Sequence, residues 1–355
     1  MKILLLAKRF YTKKDLLDDR YGRLHHLPAQ WARLGAEVEV IALDYRTKEP
    51  RTVQYDGFRV RSIPSSYAPF GGLKELGELS GVDVLVASGH LNIARLGAVV
   101  AQKANIPAVL DVYDYYPAFM GRAHPLFAIY LGRLLRRFKG AMTVSQRLQN
   151  WCQQHLEPVA RIPNGVEPKD FTPIPQAEAR QTLGVDAQAP VLGLFGSMSR
   201  DLGLDDVLAA FQKLRQTMPN ARLLLAGAGG EAAANLAGVT YAGMLDQRSV
   251  ALWASACDCL LIPYRDSLQV RYSQSARLSE YLALQKPIVV TRVGDAATWF
   301  PANYPGWCDP ASPPSLHAAM QKQLTEKVAL PLPKELTWEF LGKASLAYLR
   351  RCCGQ

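Results

Sequence analysis

Three polar or glycine-rich turns follow apolar runs in the second half of the sequence, and each could bind an anion. The first, residues 195–203, contains Gly196 where a strand should give way to a helix, and the second, residues 225–230, contains a Gly-x-Gly. The third leads into a helix that carries Arg277 and Glu280. Glycine lets the backbone approach a ligand closely, and the N–H groups at a helix start favour a phosphate.

The third turn is the most informative. Arg277 and Glu280 are three residues apart, so on a helix they share a face and can contact one ligand. The amides of Ser275 and Ala276 would face a phosphate, while the glutamate would accept hydrogen bonds from vicinal hydroxyls such as those of a ribose. A surface Arg–Glu pair fits the same spacing. The first turn likewise fits either an anion site or a plain loop with an exposed Arg200, and a lone Gly-x-Gly at 227–229 is weak support for a dinucleotide cofactor.

Alternating strands and helices must position these turns. Strands are predicted at residues 2–7, 37–43, 82–87, 108–112, 142–144, 191–195, 221–226, 257–262 and 287–291, and helices at residues 24–34, 204–218, 250–254, 277–284, 314–324 and 338–349. This alternation is typical of βαβ units with a parallel sheet. Turn residues and prolines place a linker near residues 163–175. We therefore expect two Rossmann-like α/β domains, with the ligand loops of each at one cleft.

Composition narrows the class of protein. With 49% hydrophobic and 20% charged residues in a chain of 355, the sequence is that of a folded protein, and no apolar run reaches the roughly 18 residues of a membrane span. Six cysteines without a metal-binding spacing indicate reduced thiols in the cytoplasm, and no metal site. The net charge is +10, of which +8 lies in residues 1–170. This indicates either an acidic partner for that half or a solubilising surface.

The run from Leu278 to Val290 resembles the nucleotide-sugar signature of GT-B glycosyltransferases, most closely that of the large retaining family 4. Residues 161–173, 195–203, 223–229 and 239–243 are similar to further segments of that family, in its order. The resemblance implies a GT-B fold of two Rossmann-like domains facing a central cleft. Residues 1–165 would form the acceptor-side domain, joined by a C-terminal helix in 338–355 that crosses back, and residues 166–337 the nucleotide-sugar domain.

The resemblance also implies which residues act. Glu280 would bind the nucleotide ribose, and Arg277 with the backbone of residues 274–276 would hold the diphosphate. The implied donor-binding residues are Gly22, Arg23, Gly196, Ser197, Gly227, Tyr272, Gln274, Ser275, Ala276 and Glu280, and the catalytic candidates are Asp114, Arg200 and Arg277. Asp114 would contact the acceptor or the sugar, although a loop-capping role fits it equally well.

Four positions depart from the family pattern. Ser197 replaces an arginine, Leu202 a lysine, Tyr272 a glutamate that contacts the donor sugar, and Tyr113 a histidine. These departures favour an unusual donor sugar or a weakened enzyme. Because fixed N–H dipoles and arginines can stabilise a leaving diphosphate, and no Asp-x-Asp lies in a suitable loop, we expect neither a metal nor a cofactor. The resemblance implies retention of anomeric configuration.

The acceptor is inferred from charge and amphipathicity. Residues 123–139 are apolar on one side and basic towards the end, typical either of a helix on an anionic membrane or of a core helix with a basic C-terminus. With the charge of the first half, this favours a glycan acceptor, lipid-linked or cell-surface, at the inner face of the cell membrane. A nucleotide-sugar isomerase or epimerase and a non-catalytic nucleotide-sugar-binding protein stay open. No nucleic-acid-binding motif is present.

Overall fold

A computed structural model describes residues 1–11, 14–47, 49–64, 79–119 and 125–354. The chain divides into two compact units, one of Met1–Gly165 with Trp338–Gln355 and one of Val166–Thr337. Each unit is built on a predominantly parallel sheet with helices against it. The predicted fold class, α/β with two Rossmann-like bodies, is confirmed.

The first unit contains most of the strands. They are Lys2–Lys8 (β1), Phe10–Tyr11 (β2), Lys14–Asp15 (β3), Glu37–Asp44 (β4), Arg51–Tyr55 (β5), Phe58–Pro64 (β6), Val84–Ser88 (β7), Ala108–Val112 (β8), Gly140–Thr143 (β9) and Val159–Arg161 (β10). The helices that precede the second unit are Arg23–Arg33 (α1), Leu91–Ala104 (α2), Pro125–Leu135 (α3) and Gln146–Gln153 (α4). Gly35, with φ of +84°, ends α1 as the sequence predicts.

Within the described ranges, eight of these strands form one sheet in the order β10-β9-β8-β7-β1-β4-β6-β5. All neighbours are parallel except β5 and β6, an antiparallel hairpin that the predicted strands omit. Its Asp56–Gly57 turn is the sequence signal that could have found it. β1 lies between β4 and β7, where the strand order reverses, and parallel sheets bind ligands at the carboxyl edge of such a point.

The second unit has a smaller sheet. Its strands are Val191–Phe195 (β11), Arg222–Ala226 (β12), Val239–Tyr241 (β13), Cys259–Ile262 (β14), Ile288–Thr291 (β15) and Trp307–Cys308 (β16). Its helices are Gln176–Leu183 (α5), Leu204–Thr217 (α6), Gln247–Ala256 (α7), Leu268–Tyr272 (α8), Ala276–Ala283 (α9) and Pro313–Glu326 (α10). The strands are parallel in the order β13-β12-β11-β14-β15-β16. Because β11 and β14 are buried on both faces, they read as continuous apolar runs.

The last helix, Trp338–Cys352 (α11), packs on α1 in the first unit, as the predicted fold class requires. The indole of Trp31 donates a hydrogen bond of 2.8 Å to Ser345 Oγ, and the His26 ring stacks on Trp338 with centroids 5.2 Å apart. Gly342 lies directly against Gln30, where any side chain would collide. A small residue, one hydrogen bond and one ring stack therefore dock this helix.

The predicted amphipathic stretch at 123–139 is helical from Pro125 to Leu135, and residues 123 and 124 lie outside the described ranges. One face of α3 is buried, through Leu131, Leu134 and Leu135. The opposite face exposes Leu126, Ile129 and Tyr130, and the basic residues at 133, 136, 137 and 139 are exposed as well. No helix in the part of the chain that the structure describes is both long and apolar enough to cross a membrane.

Candidate functional site

Two of the predicted turns pack against each other at the carboxyl edge of the second sheet. Gly196 N–H donates to the Ala226 carbonyl at 2.7 Å, and Met198 N–H to the Ala228 carbonyl at 2.8 Å. A Cβ at Gly227, whose φ is +123°, would collide with the backbone of Gly196. This glycine is therefore required for packing between the turns, and a direct donor contact at this position stays a prediction.

Helix α9 brings Arg277 onto the first turn. Phe195 N–H donates to the buried hydroxyl of Tyr281 at 3.0 Å, which fixes α9 to the end of β11. Arg277, only 6% exposed, donates from Nη2 to the carbonyl of Ser197. A Cβ at Gly196 would lie 2.9 Å from Nε of Arg277. The guanidinium thus lies against the turn, in space that a side chain at position 196 would occupy.

The same guanidinium has an unused donor. Nη1 of Arg277 is buried without a hydrogen-bond partner among the described residues. The Tyr264 ring lies 5.6 Å from its Cζ, and the Tyr264 hydroxyl contacts Ser275 Oγ at 2.8 Å. Ser275 precedes α9 without a side-chain cap, so its side chain does not satisfy the first N–H groups of this helix. A buried unpaired cation beside a helix start is an arrangement that an anion would stabilise.

Glu280 lies one helical turn further along α9 and is half-buried. Burial raises the pKa of its carboxyl to about 7, although the charge of Arg277 acts in the opposite direction. Among the described residues Glu280 forms no ion pair with Arg277, so these two residues are not the solvated surface pair that their spacing also allowed. Ionisation of Glu280 near neutral pH would supply two acceptor oxygens beside the guanidinium.

The second unit contains four further residues predicted to bind the donor or to take part in catalysis. Gln274 is buried and donates to Ser279 Oγ at 3.4 Å, Tyr272 is the half-buried last residue of α8, and Ala276 is the first residue of α9. Arg200 is exposed on the short 3-10 helix Arg200–Leu202. Their contacts with a donor stay predictions. Within the described ranges, no three His, Cys, Asp or Glu side chains are grouped to hold a metal ion.

Arg23, in the first unit, is buried and forms its hydrogen bonds with neighbouring protein groups. It is 1% exposed and pairs with Asp111 through contacts of 2.6 and 2.9 Å. Its Nη1 donates to the Ile162 carbonyl at 3.1 Å and to Asn164 Oδ1 at 3.3 Å. These contacts give Arg23 a structural role, holding the end of β10 to α1, and the donor contact stays a prediction.

Gly22 and Asp114 lie in the same unit. Gly22, with φ of +65°, precedes α1, and a Cβ there would lie 3.0 Å from the Tyr11 ring. Burial raises the pKa of Asp114 to about 7, opposed by the charge of Arg23. The contact of Asp114 with the acceptor or the sugar and its alternative loop-capping role both stay predictions. The Tyr113 ring packs edge-on to Tyr11 at 5.2 Å.

Sequence reasoning missed several residues that shape the predicted donor site around Gly196 and Arg277. Tyr264 and Tyr281 were not singled out, although Tyr264 follows the apolar strand β14 by two residues, where a ligand-binding loop is expected in a parallel sheet. Lys286 belongs to the recognised signature, but its ammonium donates to the carbonyls of Ser255 at 2.6 Å and Cys257 at 2.9 Å. Its role is thus to close the end of α7.

Two family models match the chain. One, described as a glycosyl transferase 4-like domain, matches residues 23–165, and the other, described as glycosyl transferases group 1, matches residues 189–326. Together they span well over half of the chain. No curated protein matches the sequence significantly.

Solved structures resemble the chain over nearly its full length. Sucrose-phosphate synthase from Thermosynechococcus elongatus is 18% identical, with a TM-score of 0.81 over 99% of this chain and 98% of the other. HepE from Anabaena in complex with UDP is 17% identical, with a TM-score of 0.69 over 100% and 98%. The Escherichia coli structure described as trehalose-6-phosphate bound with UDP-2-fluoro glucose is 13% identical, with a TM-score of 0.69 over 99% of each chain. At these identities the likeness shows the fold.

Proposed function

Because the chain belongs to the GT-B glycosyltransferases, we propose that it transfers a sugar from a nucleoside-diphosphate sugar to a glycan acceptor. The observation that carries the proposal is Arg277, buried on the Gly196 turn at the start of α9, whose Nη1 has no hydrogen-bond partner among the described residues. A diphosphate would supply the missing acceptor. Four of the similar structures contain UDP or a UDP-sugar, which makes uridine nucleotides the first donors to test.

The chemistry follows from where charge develops. Transfer breaks the bond between the anomeric carbon and the diphosphate oxygen and forms one between that carbon and an acceptor hydroxyl oxygen, which loses its proton. Negative charge accumulates on the leaving diphosphate. Arg277 and the N–H groups at the start of α9 would stabilise that charge, while Glu280 would orient the ribose. We propose that these groups act without a metal or cofactor and that the anomeric configuration is retained. Transfer measured with and without EDTA, and NMR of the product anomer, test these two points.

We propose a lipid-linked or cell-surface glycan as the acceptor class, reached at the inner face of the cell membrane. The exposed apolar residues of α3 and the basic residues that follow support this choice, because such a surface can bind anionic lipid. Sedimentation with anionic and neutral vesicles at low and high salt tests it. Preferential, salt-sensitive binding to the anionic vesicles is expected, and equal partition between the two kinds of vesicle would contradict it.

The decisive donor experiment is titration calorimetry with UDP, GDP, ADP and dTDP. Arg277→Met should weaken binding of the preferred diphosphate by about tenfold or more, because a charged hydrogen bond is lost. Arg222→Met is a matched control, since Arg222 is exposed on β12 in the same unit. Equal affinity in wild type and Arg277→Met, or binding of no nucleotide at all, would refute the donor site.

Assays with and without acceptor separate the remaining alternatives. A transferase should release nucleotide faster when a glycan acceptor is present. An isomerase or epimerase would convert the nucleotide sugar alone, and a binding protein would leave it intact.

A further inference from the structure

A cavity of 340 Å³ lies on the second unit, and the described residues that line it include none of the predicted donor-binding residues. It lies between α10 and the edge strand β16 with the loop that precedes that strand. Helix α10 contributes Ser315, Ala318, Ala319 and Lys322, which recur at helical spacing and therefore share one face. In the sheet, β14 and β15 separate β16 from β11, the strand that leads into the Gly196 turn. The cavity is therefore separate from the predicted donor site.

Hydrogen bonds to the sheet hold the wall of this cavity in place. The hydroxyl of Tyr304, a buried lining residue, accepts from Ile288 N–H at 3.0 Å and donates to the Val328 carbonyl at 3.1 Å. Arg292 N–H donates to the Cys308 carbonyl at 3.2 Å, which fixes the start of the loop after β15 against β16. Because both lining residues are anchored, the cavity exists before a ligand binds.

The side chain of Arg292 is held over an aromatic ring at the cavity. Its Cζ lies 4.6 Å from the centroid of the Trp307 ring, and its Nη2 donates to the Ala302 carbonyl at 3.2 Å. The Trp307 indole is itself fixed, because it donates to the Pro301 carbonyl at 2.8 Å. Arg292 forms no ion pair within the described part of the chain. It thus offers a positioned guanidinium whose charge no described carboxylate neutralises.

A second cation and two neutral groups complete the lining. Lys322 pairs with Glu326 at 3.9 Å, and because both side chains are about half exposed this pair is weak. No acidic side chain is among the described residues that line the cavity. Ser315 Oγ accepts from Asp309 N–H at 3.0 Å and can donate its own proton to a ligand. The exposed amide of Asn303 can both donate and accept.

We propose that this cavity binds an acidic sugar, either free or as one unit of a longer glycan. The planar guanidinium of Arg292 matches a carboxylate or a phosphate group through two parallel hydrogen bonds, and Lys322 adds a second positive charge. The amide and hydroxyl groups match the hydroxyls of a sugar ring. A volume of 340 Å³ is at the lower end of the roughly 300–1,000 Å³ of small-molecule sites. Assignment to a unit of a glycan rests on the proposed function, whereas binding of an acidic sugar does not.

Calorimetry with the full chain, at constant ionic strength and with UDP present, tests galacturonate and glucose 6-phosphate against neutral galactose and glucose. Wild type should bind at least one of the acidic sugars about tenfold or more tightly than its neutral counterpart. The Arg292→Met/Lys322→Met variant should lose about tenfold or more of that affinity. The Lys213→Met/Arg222→Met variant removes the same charge from exposed positions of the same unit and should bind as wild type does. No preference for an acidic sugar, or equal affinity in wild type and Arg292→Met/Lys322→Met, would overturn the proposal.

Further readouts keep the outcomes distinct. Arg292→Lys keeps the charge but loses the planar fork, so it should retain only part of the affinity. The melting temperature and the UDP affinity of Arg292→Met/Lys322→Met should match those of wild type, which shows that the variant folds and that the donor site is separate. Absence of UDP binding in every protein, with acidic-sugar binding intact in wild type, would refute the donor site and leave this proposal standing. Tighter binding of tetragalacturonate than of galacturonate would assign the cavity to a unit of a glycan. Equal binding of the two, or binding of glucose 6-phosphate alone, would assign it to a free sugar.

Discussion

Glu280→Gln should stabilise the protein at alkaline pH while weakening nucleotide binding. The carboxyl of Glu280 is half-buried on α9, and burial raises its pKa from 4.5 to about 7. An acid with a raised folded-state pKa holds its proton more tightly when folded, so stability falls as the pH rises from about 4.5 to about 7. Above that pH range the folded protein bears the full free-energy cost of burying an ionised carboxylate. A glutamine at this position is uncharged and removes that cost.

The magnitude follows from the same values. The full difference in pKa corresponds to about 3 kcal/mol, and partial exposure of the side chain screens it to about 1–2 kcal/mol. For a unit of this size, that gain raises the melting temperature by about 2–8 °C at pH 8. At pH 5 most of the gain should vanish, because the folded carboxyl is then protonated.

Differential scanning fluorimetry of the ligand-free protein at pH 5 and pH 8 measures the effect. Glu178→Gln, at an exposed position of α5, is the matched control and should shift neither melting temperature. Calorimetry should show that UDP binding by Glu280→Gln is weaker and independent of pH around 7. An equal stability change at both pH values, or no change, would refute burial as the cause of the raised pKa.

Further variants test the packing and the first unit. Gly196→Ala should lower the melting temperature and weaken UDP binding by about tenfold, since φ is +103° and a Cβ would lie 2.9 Å from Arg277 Nε. Arg23→Met should destabilise the first unit by about 3–5 kcal/mol in urea unfolding, because Asp111 is left buried and unpaired. Asp114→Asn should flatten any limb near pH 7 in the pH profile of kcat, since burial raises the pKa of this carboxyl to about 7.

Each of these variants has a discriminating control. Adding Asp111→Leu to Arg23→Met should recover part of the stability, because the unpaired carboxylate is removed; no recovery would show that Arg23 acts otherwise. Gly184→Ala changes a glycine with positive φ that has open space around it, so it tests backbone strain without a collision. A kcat limb that persists in Asp114→Asn would assign that ionisation to another group.

Much of the fold is predictable from the sequence because its signals are local. The apolar run of β1 and that of β11 are bounded by polar turns, and Gly35 ends α1 in the conformation that its residue type favours. The predicted strands omit the hairpin of β5 and β6 because charged or polar residues alternate with apolar residues along its strands. Its burial depends on pairing with β4, which lies outside any local window.

The predicted donor site around Gly196 and Arg277 is only partly predictable, because it too depends on contacts between distant segments. Spacing places Arg277 and Glu280 on one helical face, but it leaves open whether they pair in solvent or face a ligand. Burial of the guanidinium against Gly196 decides this, and that contact joins positions 81 residues apart in sequence. Likewise, Arg23 appears in sequence as a free cation, and only the fold brings Asp111 beside it.

The sequence by itself determined the α/β class, the glycine-rich turns and the family of this protein, because these depend on residue type and order along the chain. Only the tertiary structure decided which charges are paired. Arg23 is neutralised inside the first unit, whereas Nη1 of Arg277 has no hydrogen-bond partner among the described residues. The physical reason is that the free energy of a charge depends on its solvation and its neighbours, which packing between distant segments sets.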